Sequence, residues 1–185
     1  MKNPTHFCLI QAAVAYILDI ALGDPQWPYH PVRLIGKFTE NMECLVRKFP
    51  VAERIRGIAL TTIVVSGTYL STYSVISIAK QGGIPFEMLS GVVVIYFTIS
   101  IKSLADEAKK VMTSLRENDL IKARQTLSQI VGRDTAHLSE EQIVRACIET
   151  VAEGSVDGIV SPLFYTFVGG PIAAMAYRAI NTLDS

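Results

Sequence analysis

The stretch Gly57–Ala79, GIALTTIVVSGTYLSTYSVISIA, runs for 23 residues without a charge. It holds 13 apolar residues, eight Ser or Thr and two Gly. A bilayer core of about 30 Å takes roughly 20 helical residues to cross. The hydroxyls do not forbid a span, since they can bond their own helix backbone or a neighbouring helix. Three further apolar stretches flank it. Residues 3–22 carry His6, Gln11 and Asp19, and residues 84–101 carry one charge, Glu87. Residues 158–177 carry no charge but are interrupted by Pro162, Gly169-Gly170 and Pro171. The first stretch has a weak basic start and no small-x-small site, so it does not read as a cleaved signal peptide. These lengths predict an all-α, multi-pass helical membrane protein, one domain over 1–185. A soluble all-α protein with long core helices is the competing reading.

The charges sharpen this. The chain has 17 Lys+Arg and 17 Asp+Glu, a formal net charge of zero. That balance argues against nucleic acid as a partner, which calls for a basic excess or patch. Segments 23–56 and 102–157 together hold 28 of the 34 charges. If the four apolar stretches all span, with the N-terminus outside, both charged segments fall on one side with 14 of the 17 basic residues. The positive-inside bias then places them in the cytoplasm, as amphipathic helices below a cell membrane. The three cysteines, Cys8, Cys44 and Cys147, are too widely spaced for a disulfide scaffold or a CxxC site.

The first charged segment opens GDPQWPYHPVR, residues 23–33. Three prolines in seven residues forbid a regular helix there and hold Trp27, His30 and Arg33 in an extended loop. A plain helix-ending turn is the simpler reading of Gly-Asp-Pro. A helix resumes from Val32. In the second segment, 103–116 reads as an amphipathic helix stopped by Glu117-Asn118-Asp119. Residues 120–131 read as another, with Gly132 as its C-cap. Ser139-Glu140-Glu141-Gln142 has capping-box form and starts a third. On that helix Arg145, Glu149, Glu153 and Asp157 are spaced by four and share one stripe. A solvated, salt-bridged face would explain the stripe. Yet it runs into an apolar stretch, where gathered carboxylates repel one another unless a cation compensates. Hard oxygen ligands of this kind suit Mg²⁺, particularly Mg²⁺ carried by a nucleotide. The chain ends on Arg178, Asn181, Thr182, Asp184 and Ser185 without a polar tail, which reads as truncation at the C-terminus. It contains no Walker-type loop, no GxGxxG and no HExxH.

Four blocks, in order, resemble the CbiB/CobD family of cobalamin biosynthesis, the adenosylcobinamide-phosphate synthases. They are Asp19-x-x-x-Gly23-Asp24-Pro25 with His30-Pro31-Val32-Arg33-x-Ile35-Gly36; residues 130–135, IVGRDT; residues 149–165, from Glu149-Thr150-Val151-Ala152-Glu153 to Pro162-Leu163-Phe164-Tyr165; and residues 181–185, NTLDS. One departure stands out: the family usually has Asn after Ala-Glu, where this chain has Gly154. The resemblance implies a ligase that forms an amide between adenosylcobyric acid and 1-aminopropan-2-ol phosphate, driven by ATP with Mg²⁺, in a lipid membrane and in the company of other cobamide-assembly enzymes. A carboxylate must be activated before an amine can attack it, and phosphoryl transfer needs cations on the phosphates. On that basis His30, Glu149, Glu153 and Asp157 are the expected catalytic residues. Arg33, Arg133, Asp134, Thr135, Arg145 and Asn181 are expected to hold substrate or phosphate, and Glu153, Asp157 and Asp184 the metal. Asp24 is expected to shape its loop. A non-catalytic AmpE-like sensor or scaffold, or a transport component, are the alternatives. Joint binding of ATP and a corrinoid would separate the enzyme from both.

Overall fold

The computed structural model describes residues 4–184 except residue 26; Asn3, at the expected start of the first apolar stretch, and Ser185, at the end of the last motif block, lie outside the described residues. Every regular element among the described residues is helical. In chain order they are α1 (Pro4–Leu22), α2 (Pro31–Val46), α3 (Glu53–Gln81), α4 (Ile84–Tyr96), α5 (Ile101–Arg116), α6 (Leu120–Leu127) and α7 (Glu140–Ser155). A π-helical turn (Val156–Val160) and α8 (Ser161–Asp184) complete the fold.

α3 settles the choice between a soluble and a membrane protein. Its inward residues are Val64, Thr68, Thr72 and Ile76, while Ile58, Leu70, Val75 and Ile78 are all more than half exposed. A water-soluble helix would turn its hydroxyls out and its aliphatics in; lipid removes that preference. The inward hydroxyls are satisfied locally, as where Thr72 Oγ1 donates to the Thr68 carbonyl at 2.8 Å. Three helical stretches are long and apolar enough to cross a membrane: Glu53–Gln81, Ile84–Arg116 and Glu140–Asp184. α1 is a shorter apolar helix, His6–Leu22 by the same measure.

The last long stretch does not run straight. Gly169 and Gly170 leave helical geometry, and Gly170 sits at φ 71°, ψ −167°, a region only glycine occupies without strain. Pro171 follows, where a missing N–H costs nothing because the return helix is just starting. Tyr165 and Tyr177 are 12 residues apart, about 18 Å along a straight helix. Their rings instead stack with centroids 4.9 Å apart. α8 is therefore a hairpin: an arm of about 12 Å, residues 161–168, a Gly-Gly tip, and a returning arm from residue 171. The tip shares a pocket with Cys8, Lys80 and Glu87 at one end of the bundle. The feet, Asp157 and Arg178, meet at the other. The expected apolar stretch 158–177 thus turns back at Gly169-Gly170 instead of running as one straight helix. An apolar run broken by Gly-Gly-Pro reads the same in sequence whether the chain passes through or turns back.

Helices α5, α6 and α7 form a separate lobe around Val111, Ala123, Leu127, Ile143 and Ala146. The local signals there are strong. Asn118 at φ 55° closes α5, with Asp119 N–H on the Ser114 carbonyl and Asn118 N–H on that of Leu115, a Schellman arrangement. Asp119 then caps α6 by accepting from Lys122 N–H at 2.9 Å. The Ser139 capping box is present with Gln142, as expected. α6 ends at Leu127 rather than Val131, because the chain tightens into i→i+3 bonds such as Ile130 N–H to the Leu127 carbonyl. Gly132 consequently caps nothing.

A buried carboxylate joins lobe to bundle. Asp19 is fully buried in α1, and its Oδ2 accepts from the N–H groups of Ile101 (2.8 Å) and Lys102 (3.1 Å). Ser100, the residue before α5, supplies no side-chain cap, so Asp19 caps that helix from 82 residues away. Lys102 Nζ returns to the Ala21 carbonyl at 2.9 Å, and the Tyr96 hydroxyl donates to the Gly23 carbonyl.

Candidate active site

An open cleft of about 420 Å³ lies where lobe and bundle meet. Each wall comes from a different part of the chain. The loop after α1 brings Asp24, α5 brings Ser103 and Glu107, α7 brings Thr150 and Glu153, the π turn brings Asp157, and the returning arm of α8 brings Arg178 and Asn181. Ser100 N–H donates to the Gly158 carbonyl at 3.0 Å. That bond pins the π turn against the α4–α5 junction and fixes the direction of Asp157. Tyr177 O–H approaches Asp157 Oδ1 at 3.4 Å. A π turn inside a helix shifts later residues out of α register, so Asp157 is not a simple continuation of the stripe above it.

Of the residues expected from sequence, Glu153, Asp157 and Asn181 come together here. Glu149 does not. It takes Arg133 Nη2 at 2.7 Å on one oxygen and Arg145 Nε at 2.9 Å on the other. Those two guanidinium groups, Arg133 first, hold its carboxyl below the usual carboxylate range. Arg133 and Arg145 are thus committed to one carboxylate outside the cleft lining. Asp134 closes its own turn, accepting from Ala136 N–H at 2.9 Å. Thr135 is buried and donates to the Arg124 carbonyl at 2.9 Å. Arg33 is exposed on α2, and Asp184 is exposed beyond the cleft lining.

His30 reaches the cleft indirectly. It is buried, its Nε2 lies 2.7 Å from Asp24 Oδ1, and its ring meets Phe97 edge-on at 5.0 Å. Its Nδ1 accepts from Val32 N–H at 3.3 Å, capping α2. Nε2 is close to Asp24 without hydrogen-bond geometry to it. His30 therefore stands behind Asp24, and Asp24 is the wall. Asp24, Glu107 and Arg178 were missed from sequence. Asp24 belonged to a motif whose turn chemistry explained it too easily, and the other two lay on faces that only the fold brings to the cleft.

The departure at Gly154 has a local counterpart. A Cβ there would lie 2.8 Å from Leu104 Cδ1, the movable end of a side chain on α5, so a larger residue here would displace Leu104.

Among the described residues, no three His, Cys, Asp or Glu groups are close enough to hold a metal ion unaided. Mg²⁺ does not require that. It keeps several waters and is commonly held by one or two carboxylates together with substrate phosphates. Asp24, Glu153 and Asp157 offer such oxygens; the donor set fits a nucleotide-borne Mg²⁺ rather than a resident ion.

A polytopic helical bundle with an acidic, arginine-bearing cleft at one end is the architecture of a membrane-embedded protein with a solvent-open reaction or binding site. The comparisons give the family. Residues 12–185 match the family model described as CobD/Cbib protein, and the chain belongs to that family. It is 47% identical over 179 residues to the cobalamin biosynthesis protein CobD of Clostridium perfringens, covering 96% of this chain and 56% of that protein. It is 46% identical over 176 residues to cobalamin biosynthesis protein CbiB of Salmonella choleraesuis, covering 93% and 55%. It is also 42% identical over 173 residues to CobD of Leptospira interrogans, covering 94% and 55%. The chain thus spans about half the length of these curated relatives. No solved structure matches it.

Proposed function

We propose that this chain acts in cobalamin biosynthesis. In this reading it carries part of the site at which a membrane-bound ligase joins the free carboxylate of adenosylcobyric acid to the amine of 1-aminopropan-2-ol phosphate. ATP supplies the phosphoryl group that turns the carboxylate oxygen into a leaving group, with Mg²⁺ neutralising charge on the phosphates. The observation that carries the reading is the cleft itself: Glu153 and Asp157 face Arg178 and Asn181 across one opening. Relatives of the same family are named for cobalamin biosynthesis, which supports the pathway.

The residues divide the work as their chemistry allows. Glu153 and Asp157 present hard oxygens to Mg²⁺. Asp24, with His30 close behind it, is a carboxylate on the cleft wall that can accept a proton from an attacking ammonium. Tyr177 orients Asp157. The cleft end of the bundle faces the cytoplasm in this reading, where ATP is available; the excess of Lys and Arg in the two charged segments supports that orientation. The test is ATP-dependent amide formation by membranes carrying the longest available chain. Glu153→Gln and Asp157→Asn should lower the rate steeply and raise the Mg²⁺ requirement. Full rates with unchanged Mg²⁺ dependence in both variants would end the metal assignment.

A further inference from the structure

The cleft wall holds four carboxylates and, among the described residues, a single cation, Arg178. Its Nη1 donates to Asn181 Oδ1 at 3.1 Å. Its Nε is buried with no hydrogen-bond partner, and none of the ion pairs formed among the described residues includes it. A guanidinium stays charged at any physiological pH, and the carboxylates that share the cleft with Arg178 all stand beyond ion-pair distance of it. The arginines marked out by sequence are unavailable for the cleft: Arg133 and Arg145 share Glu149, and Arg33 is exposed on α2 outside the lining.

We propose that Arg178 is the oxyanion anchor of the cleft, receiving a phosphate or carboxylate group of the ligand on its guanidinium fork while Asn181 orients it. This rests on reading the cleft as the reaction site. A planar fork with paired N–H donors matches two oxygens of such a group, which a single ammonium does not. The neighbouring Asp24, Glu153 and Asp157 repel an oxyanion from the rest of the wall. An anion is therefore held only between Arg178 on one side and a divalent cation on the other, and binding needs both.

The test is equilibrium binding to the protein in lipid nanodiscs, with and without Mg²⁺. Three probes are titrated separately: pyrophosphate, an amino-alcohol phosphate and the corrinoid carboxylic acid. Arg178→Gln should weaken at least one probe by about tenfold to a hundredfold, the range for a charge-assisted hydrogen bond. Arg178→Lys should fall between, keeping the charge and losing the fork. Arg54→Gln, on the exposed start of α3, should bind as wild type. The probe that is lost names the source: a nucleotide, the amine substrate or the acyl substrate. Equal affinities of wild type and Arg178→Gln for all three overturn the proposal. Should Arg178→Gln fail to fold, the wild type decides, because a thermal midpoint that no probe raises in the presence of Mg²⁺ also overturns it. Loss of pyrophosphate binding in Arg178→Gln, alongside a wild type that forms no amide, would sink the proposed reaction and leave the anchor standing.

Discussion

Glu149 and Glu153 stand one helical turn apart on α7, on the same stripe, and meet opposite fates. Glu149 is neutralised twice, by Arg133 from the loop before the helix and by Arg145 from the turn above. Glu153 faces the cleft with Asp24, Glu107 and Asp157 for company and no ion pair among the described residues. The difference lies in what each turn packs beside. The upper turn meets a loop fixed by Thr135 and Arg124. The lower one passes Leu104 at Gly154 and enters the π turn, where Arg178 shares the cleft but forms no ion pair among the described residues. Periodicity gave the two residues the same standing. A shared helix face guarantees only a shared direction, and the partner on the other side decides whether a charge is spent on structure or left free for a ligand.

The largest expected effect breaks the comparison at its lower half. Asp157→Asn should reduce ATP-dependent amide formation by about a hundredfold or more, the scale for removing a group that stabilises transition-state charge. Glu149→Gln should leave the rate within about threefold. Equal losses in the two variants would mean the stripe works as one unit, and the division drawn between its turns would be wrong.

Asp19→Ala comes next. It strips two N–H groups at the start of α5 of their buried acceptor. The cost is about 2–3 kcal/mol, between an ordinary lost cap and an unsatisfied buried pair. Denaturant melts in detergent measure it. Because α5 carries one cleft wall, this variant should also weaken Mg²⁺-dependent rates while leaving the Arg133–Glu149 contact intact.

Gly158→Ala tests the pin between the π turn and the α4–α5 junction. Its Cβ would lie 2.4 Å from Ser100 Oγ, so something must shift, at about 1–3 kcal/mol. Restoration by Ser100→Ala in the same chain would confirm the contact, and a single variant as stable as wild type would remove it.

The smallest effect is a pH dependence at the upper half. The Glu149 carboxyl is held below its ordinary value. Its contribution to stability is therefore fully present above the unfolded-state carboxylate pKa, about 4.3. It is lost as pH falls through the lower folded value. The stability difference between wild type and Glu149→Gln should stay constant from pH 8 to about 5 and shrink below about 4. A difference that instead grew on acidification would contradict the sign.

Much of this molecule can be read from composition and short motifs. Residues 57–79 lie within α3, the Ser139 box starts α7 one residue later, and Glu153, Asp157 and Asn181 share the cleft. Each of those signals is local, carried by neighbours a few residues away. What escaped depends on distant partners. Nothing near Asp19 announces that it will cap a helix 82 residues on, and nothing near Arg178 announces that four carboxylates will gather opposite it. The reversal at Gly170 escaped for a different reason. It adds no charge to the apolar run, so hydropathy reads the same whether the helix runs straight or turns back. The reversal matters, because a straight helix over 158–177 would have carried Asn181 away from Glu153, with which it shares the cleft.

That reversal also bears on how the protein is assembled. An arm of eight residues is far too short to be retained in a bilayer by its own hydrophobicity, and the non-helical backbone at Gly169 and Gly170 is tolerated at depth only where protein surrounds it. The walls that receive it are α1, α3 and α4. Without those walls the hairpin has no lipid-stable position of its own, so the part of the cleft that carries Arg178 depends on the bundle for its place.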